Sequence, residues 1–585
     1  MNTRNILLLL SAVFIVALVC VLTFQTKPPQ VMTPVLSFSE LCNSNEAFGR
    51  YYSVSNDTGV SVGDVFEEHV DIEFIEAITG NKQSVESSYF NYSERTLHAN
   101  FQGPSGKEYN VSAFYDGRQE FKIRAFLDEP GEWRYTLYFG DIILKALALN
   151  IAHADTESKR VSPILIDPVY PSKLISGGVP FYWVGGKWIA SQNIAPCSIP
   201  QFEHLRPSHQ PISDQEYLAY LDVLLGNKHN AILIKIAQFP LLDDGLSWDL
   251  EWLQRADWMV REALERGIYV QINVFDTWSR DQQYKVLNST KGEEQVFNVW
   301  QPTEIDFPKI KQYLHSLASR FSAYPNVVWE LGNEMEHSPN CGDCFVKQAN
   351  QYYIPWLREF DVFDRLIGLS EGIWEKVDVD MGFAHQTRSA DFETLPKISV
   401  PLVMNELVFS DGTAALWKDQ TIRDSDARIA YRRTFWRSFM LGLSGSFEAT
   451  WLNIQEPLNS AVENVMRDHR QLVEFIRAQN VDVNSREVYP SLLQANQDYY
   501  SYSINYNGGK FAAYLLSKDS ELTNSWLVSA NLPPGFYEYY WLNPVSGVYS
   551  DRYFFKAGVQ DDINIDYEGV DLIIIFKRIV KAGME

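Results

Sequence analysis

Positive charge is what this chain has least of: 50 Lys and Arg stand against 74 Asp and Glu, a formal net charge of −24. Nucleic-acid binding relies on Lys and Arg to neutralise phosphate, and no basic stripe offsets the deficit, so a polyanion partner is excluded. Cysteine is scarce too, with five in 585 residues (Cys20, Cys42, Cys197, Cys341 and Cys344). Cys341-Gly-Asp-Cys344 is a lone C-x-x-C with neither a second pair nor a histidine cluster, so it reads as a local disulfide rather than a zinc site. A convincing A-x-A cleavage site is also missing after the one long apolar run, Ile6 to Phe24, which Arg4 precedes and Lys27 follows. That run is long for a signal peptide and long enough to cross a bilayer. Residues 1–30 therefore read as an uncleaved signal-anchor, with a cleaved signal as the alternative. Both put the rest of the chain outside the cytoplasm, anchored by residues 6–24 or secreted. Asn56, Asn91, Asn110 and Asn288 begin N-x-S/T triplets, which matter in a glycosylating host.

What the chain has is apolar and aromatic mass. Hydrophobic residues make up 46% against 21% charged, a globular composition, and the length is too great for one core. Aromatics reach 14%, with 16 Trp, 31 Tyr and 34 Phe, which suits sugar rings as well as large β-sheet cores. Three grammars follow one another. Residues 36–155 alternate over short runs such as "EFKIRAFLDEPGEWRYTLYF", the pattern of an antiparallel β-sandwich. Residues 486–585 return to that alternation ("YYSYSINYN", "VDLIIIFKR") and predict a second, small sandwich with no catalytic constellation.

Between them, residues 160–485 alternate short apolar strands with helical stretches. Strands are expected at 180–186, 231–236, 269–275, 326–334, 365–370, 381–387, 401–406 and 445–452. The helix of "SDQEYLAYLDVLLGNK" begins on Ser213 as N-cap, and that of "LEWLQRADWMVREALERG" stops at Gly267. Eight strands close a (β/α)8 barrel. The predicted fold is thus α/β, a (β/α)8 TIM barrel between two β-sandwiches.

In such a barrel the active site gathers at the C-terminal ends of the strands. Strand 4 ends in Asn333-Glu334 and strand 7 in Asn405-Glu406. Strand 8 offers Glu448 and Trp451, strand 6 His385, and strand 3 Asn273 and Asp276. A strand end meeting a solvated turn would account for one such carboxylate. Two facing each other across the mouth have a chemical reason: glycoside hydrolysis needs one carboxyl to protonate the leaving oxygen and another to attack or to activate water. Like charges that close also raise one pKa, preparing an acid beside an ionised partner. Gly332 is expected to permit the turn at the rim. Trp188 and Trp278, beyond strands 1 and 3, are the tryptophans best placed to line a sugar cleft. Trp183, Trp300 and Trp374 fit core or rim packing.

The motifs "WELGNE" and "PLVMNE" give the chain a resemblance to the clan A glycoside hydrolases, retaining enzymes on (β/α)8 barrels. Among these it is similar in its three-part order to apiosidase-like and cellulase-like proteins with an N-terminal β-sandwich of unknown function. The resemblance covers nearly the whole chain after the leader. It implies Glu334 as acid/base, Glu406 as nucleophile, Asn333 near the sugar 2-hydroxyl and Trp451 as a stacking platform. His385, Trp188, Trp278 and Glu448 are further substrate-contact candidates. It also implies a carbohydrate substrate and no cofactor, since carboxylates and water suffice. Two departures stand out: Lys235 and Gln238 occupy strand 2 where many members carry an Arg, and His385-Gln386-Thr387 lacks the Tyr of the usual His-x-Tyr. A non-catalytic carbohydrate-binding surface protein is the alternative reading.

Overall fold

The structure, a computed structural model, describes residues 60–80, 97–153, 161–186, 188–195, 210–237, 248–277, 297–337, 343–385, 399–406, 425–446, 460–493, 499–517, 523–558 and 562–579. Its centre is a closed parallel barrel of eight strands. In chain order they are β1 (Val184–Gly185), β2 (Ala231–Lys235), β3 (Tyr269–Asp276), β4 (Val327–Asn333), β5 (Ile367–Ser370), β6 (Met381–His385), β7 (Leu402–Glu406) and β8 (Ser444–Ser446). The ring closes where Val184 and Gly185 register against Gly445 and Ser446. Every residue of β3 and β4 is buried, as parallel strands covered on both faces require.

Helices α1 (Asp214–Gly226), α2 (Leu250–Glu265) and α3 (Asp306–Phe321) follow the first strands, α4 (Ile354–Phe360) follows β4, and α5 (Ser425–Met440) and α6 (Ser460–Ala478) follow β7 and β8. Ser213 caps α1 in a reciprocal box: its hydroxyl accepts the Glu216 N–H, and the Glu216 carboxylate accepts the Ser213 N–H. Gly267 sits just past α2 at φ +72°, the left-handed stop that glycine adopts without strain. Between β5 and β6 the crossover is only a 3₁₀ segment, Glu371–Lys376.

The barrel floor is apolar. Trp183, Tyr269, Val328, Met381, Phe383 and Val403 form one cluster with Ile164 and Leu174 of a small antiparallel sheet, Ile164–Ile166, Leu174–Ser176 and Val179–Phe181. That sheet closes the N-terminal end of the barrel, and the sequence pattern had not marked it out. The Tyr269 hydroxyl pins it by donating to the Ser162 carbonyl at 2.6 Å.

The N-terminal region folds as two antiparallel sheets over a core built around Trp133, Tyr135, Phe101 and Ile123. The "DEPGEW" turn does not make a hairpin; it carries the chain from Glu120–Phe126 in one sheet to Gly131–Phe139 in the other. Charge buried against the barrel ties this region down. Arg124 donates to both carboxylate oxygens of Asp257 on α2, at 2.8 and 2.5 Å, and pairs with Glu67. Asp116 meets Lys122 at 2.6 Å and Arg320 of α3 at 2.7 Å.

The C-terminal strands form a six-stranded and a two-stranded sheet that share a core around Trp526, Leu515, Ile565 and Ile574. The other face of the larger sheet packs on the barrel. There Arg432 of α5 forks onto Asp571 at 2.9 and 3.0 Å, and Tyr514 donates to the same carboxylate at 2.8 Å.

Candidate active site

Above its apolar floor the barrel turns polar. Lys235 of β2, Gln271 and Asn273 of β3, Glu330 of β4 and Asn405 of β7 are all buried. Period-two alternation explains Glu330: Val328, two residues before it, belongs to the inward floor cluster, so Glu330 follows on the same inward side. Burial pushes the Glu330 carboxyl up to about 7; Lys235 and His385 oppose that rise and Asp276 adds to it. Lys235 Nζ lies 4.7 Å from the centroid of the Trp188 ring, a cation–π contact.

At the rim, β4 gives way to Glu334 at φ +53°. A left-handed glutamate costs about 1–3 kcal/mol and persists only where neighbours hold it. Two do. The Glu334 N–H donates to Ser370 Oγ at the end of β5 at 2.9 Å, and Thr277 Oγ1, just past β3, donates to the Glu334 carbonyl at 2.6 Å. Strands on both sides of β4 therefore clamp the strained residue. The expectation for Gly332 needs correction: the unusual backbone falls on Glu334, and Gly332 is required because a Cβ there would stand 2.4 Å from Met335 Cγ.

The Glu334 side chain is 14% exposed, and its Oε1 shares a 3.0 Å hydrogen bond with His385 Nδ1, which donates when the carboxylate is ionised. Asn333 donates from Nδ2 to Asp276 Oδ1 at 2.9 Å. In the sheet register His385 of β6 is the partner of Glu406 on β7, at a local irregularity between Ala384 and His385. The residue that touches Glu334 is thus the strand neighbour of Glu406.

Of the residues singled out from sequence, Glu334, Asn333 and His385 come together at the rim. Trp188 lies within the barrel at 2% exposure, against Ala190 and Leu233. Glu406 is placed by its backbone, while its side chain falls outside the described residues, as do Trp278, Glu448, Trp451, Gln238, Gln386 and Thr387. Trp183, Trp300 and Trp374 are buried, as expected of packing residues. Cys344 is disulfide-bonded, and Cys341 lies outside the described residues. Sequence reasoning passed over Ser370, Thr277 and Gln271. Position at a strand end was the available signal for the first two, but small hydroxyls there are common. Among the described residues no group of three or more His, Cys, Asp or Glu could hold a metal ion.

A half-buried carboxylate hydrogen-bonded to a histidine can exchange a proton with a bound molecule. Residues 209–408 match the family model described as cellulase (glycosyl hydrolase family 5), and residues 76–140 match a domain of unknown function (DUF5060). No curated protein matches the chain. Among solved structures, a provisionally assigned glycoside hydrolase from Bacteroides vulgatus ATCC 8482 superposes with TM-score 0.61 at 12% identity, covering 89% of this chain and 99% of its own. A glycoside hydrolase family 5 structure from the same strain gives TM-score 0.51 at 12% identity, covering 72% of this chain and 94% of its own. At this identity the likeness is one of fold.

Proposed function

We propose, for a chain that carries a glycosyl hydrolase family 5 domain and is a glycosidase, that Glu334 is the acid/base and Glu406 the nucleophile of a retaining mechanism. The observation that carries the reading is the link from Glu334 Oε1 to His385, whose register partner is Glu406. In the first step Glu334 gives its proton to the glycosidic oxygen while Glu406 attacks the anomeric carbon. In the second, Glu334 takes a proton from the water that releases the sugar. This route calls for carboxyls about 5–5.5 Å apart. His385 orients the Glu334 carboxyl, and the Asn333–Asp276 bond fixes the amide beside it.

The substrate is a poly- or oligosaccharide, with Trp278, Trp451 and Glu448 as further contacts. The leader supports action outside the cytoplasm, anchored by residues 6–24 or after secretion.

Replacing Glu334 or Glu406 by Gln tests the assignment on an aryl glycoside. Each should lower turnover by at least about a hundredfold with the circular dichroism unchanged. Unchanged turnover in either variant removes that residue from its role. NMR of the first-formed anomer should show retention; inversion would make Glu406 a base rather than a nucleophile. Glycan binding without hydrolysis by the wild-type chain would favour a binding protein.

A further inference from the structure

The floor of the barrel brings a half-buried Lys173 and a buried Arg486 together without a described carboxylate against either. Lys173, between the first two strands of the floor sheet, donates to the Gly442 carbonyl. Arg486, on the segment leading from α6 into the C-terminal sheet, donates to the carbonyls of Val483, of Phe439 at 3.2 Å and of Leu443 at 3.2 Å. The acids nearby are engaged elsewhere. Asp167 accepts from Asn484 Nδ2 at 2.7 Å and from the N–H groups of Val169 and Tyr170. Asp482 accepts from the N–H of Asn484 at 3.0 Å and acts on Arg486 through space.

Both cations line one small cavity. Tyr182 lines it too; its ring lies 5.5 Å from the Arg486 guanidinium carbon, and its buried hydroxyl has no hydrogen-bond partner among the described residues. Carbonyl dipoles offset part of the cost of withdrawing positive charge from water, but they supply no counter-charge, and the two cations repel each other. Burial accordingly drives the Lys173 ammonium down to about 7, with Arg486 adding to the effect, and burial brings Arg486 itself to about 10. One anion between them would turn repulsion into two attractions and would accept the Tyr182 O–H. Ser172, Ser444 and Asn484 line the cavity beside Phe181, Leu402 and Val483. Its free interior is about the size of one water molecule, which favours a small ion over a phosphate.

We propose that this cavity binds a small monovalent anion, chloride being the probe, held by Lys173 Nζ, the Arg486 guanidinium and Tyr182 Oη. The ion ties the barrel floor to the segment that enters the C-terminal sheet.

The test follows thermal unfolding of the full chain at pH 6 in sodium chloride and in sodium gluconate of equal ionic strength. Tm should rise by about 2 °C per tenfold increase in chloride, with no rise in gluconate. Lys173→Met should abolish the difference. If that variant does not fold, Tyr182→Phe, which removes only a hydroxyl, should reduce it. Crystals soaked in bromide should show an anomalous peak between the three side chains. Equal Tm in the two salts overturns the proposal, since Lys173 would then be neutral or its charge met from within the chain. A chloride response unchanged in the folded variants overturns it as well.

Discussion

At the seam between the N-terminal sandwich and the barrel, Glu67, Asp116 and Asp257 stand against Lys122, Arg124 and Arg320. At the barrel mouth, Asp276, Glu330 and Glu334 stand against Lys235 and, when it is protonated, His385. Both clusters are buried, but their electrostatics run in opposite directions. Burial pushes the Asp116 carboxyl up, yet Arg320 and Lys122 outweigh it and hold Asp116 below the usual carboxylate range. Burial also pushes Glu330 up, and there it wins. The seam is matched charge for charge, as docking one region on another requires. At the mouth the burial of Glu330 outweighs the cations near it, the condition under which a carboxyl retains a proton near neutral pH.

The largest test of this contrast is Asp257→Ala. It strips Arg124 of its forked partner and Tyr324 of its acceptor, leaving a buried guanidinium with Glu67 and the Arg320 carbonyl. The first unfolding transition in denaturant should fall by about 3–5 kcal/mol. A loss below about 1 kcal/mol would put the seam with exposed ion pairs and end the contrast.

Next comes pH. The folded value of Glu330, about 7 against an ordinary 4.5, means that the folded state holds the proton more tightly. The group therefore costs stability as pH rises from 4.5 to 7, by about 3 kcal/mol in all (7 minus 4.5, at 1.36 per unit). Unfolding of Glu330→Gln should lack this decline, so the variant gains on the wild type across that window; parallel profiles would rule out a buried, protonated Glu330. Asp116 carries the opposite sign. Its depressed value contributes stability above 3.8 that is lost as pH falls below it, and Asp116→Asn should flatten the acid limb of the stability profile.

Ser370→Ala removes the acceptor that holds the left-handed Glu334 N–H. It should cost about 1 kcal/mol and lower turnover by up to about tenfold, with KM little changed; a change confined to KM would argue for substrate contact instead. The smallest effect lies far from both clusters. Ser213→Ala should cost α1 about 1 kcal/mol and leave turnover untouched, measured by Tm and by aryl glycoside hydrolysis.

Much of this was legible in the chain itself. Six of the eight barrel strands lie within the stretches that apolar runs marked out, and β3 and β8 overrun theirs by one residue each, because strands covered on both faces must be apolar almost throughout. The Ser213 cap and the Gly267 stop were legible because capping is local chemistry. Asn333, Glu334 and His385 were legible as polar residues that end apolar strands. The floor sheet was not, since its strands are three residues each and alternate too briefly to show a period. The clamp on Glu334 was not, because Ser370 and Thr277 reach it from other strands. Lys122 and Arg124 fall in a run whose alternation gives no hint that both are fully buried; their partners come from distant segments.

The sequence by itself determined the eightfold βα alternation, the flanking β grammar and the strand ends that carry Glu334 and Glu406, because each is written in near-neighbour periodicity. Only the tertiary structure decided that strain falls on Glu334 rather than Gly332. It alone set Glu330 high and Asp116 low, and it alone gathered Lys173, Arg486 and Tyr182 around one cavity. The reason is physical: a side chain's charge and a backbone's strain depend on what lies within a few ångströms, and in a closed barrel those neighbours come from strands and loops far apart in the chain.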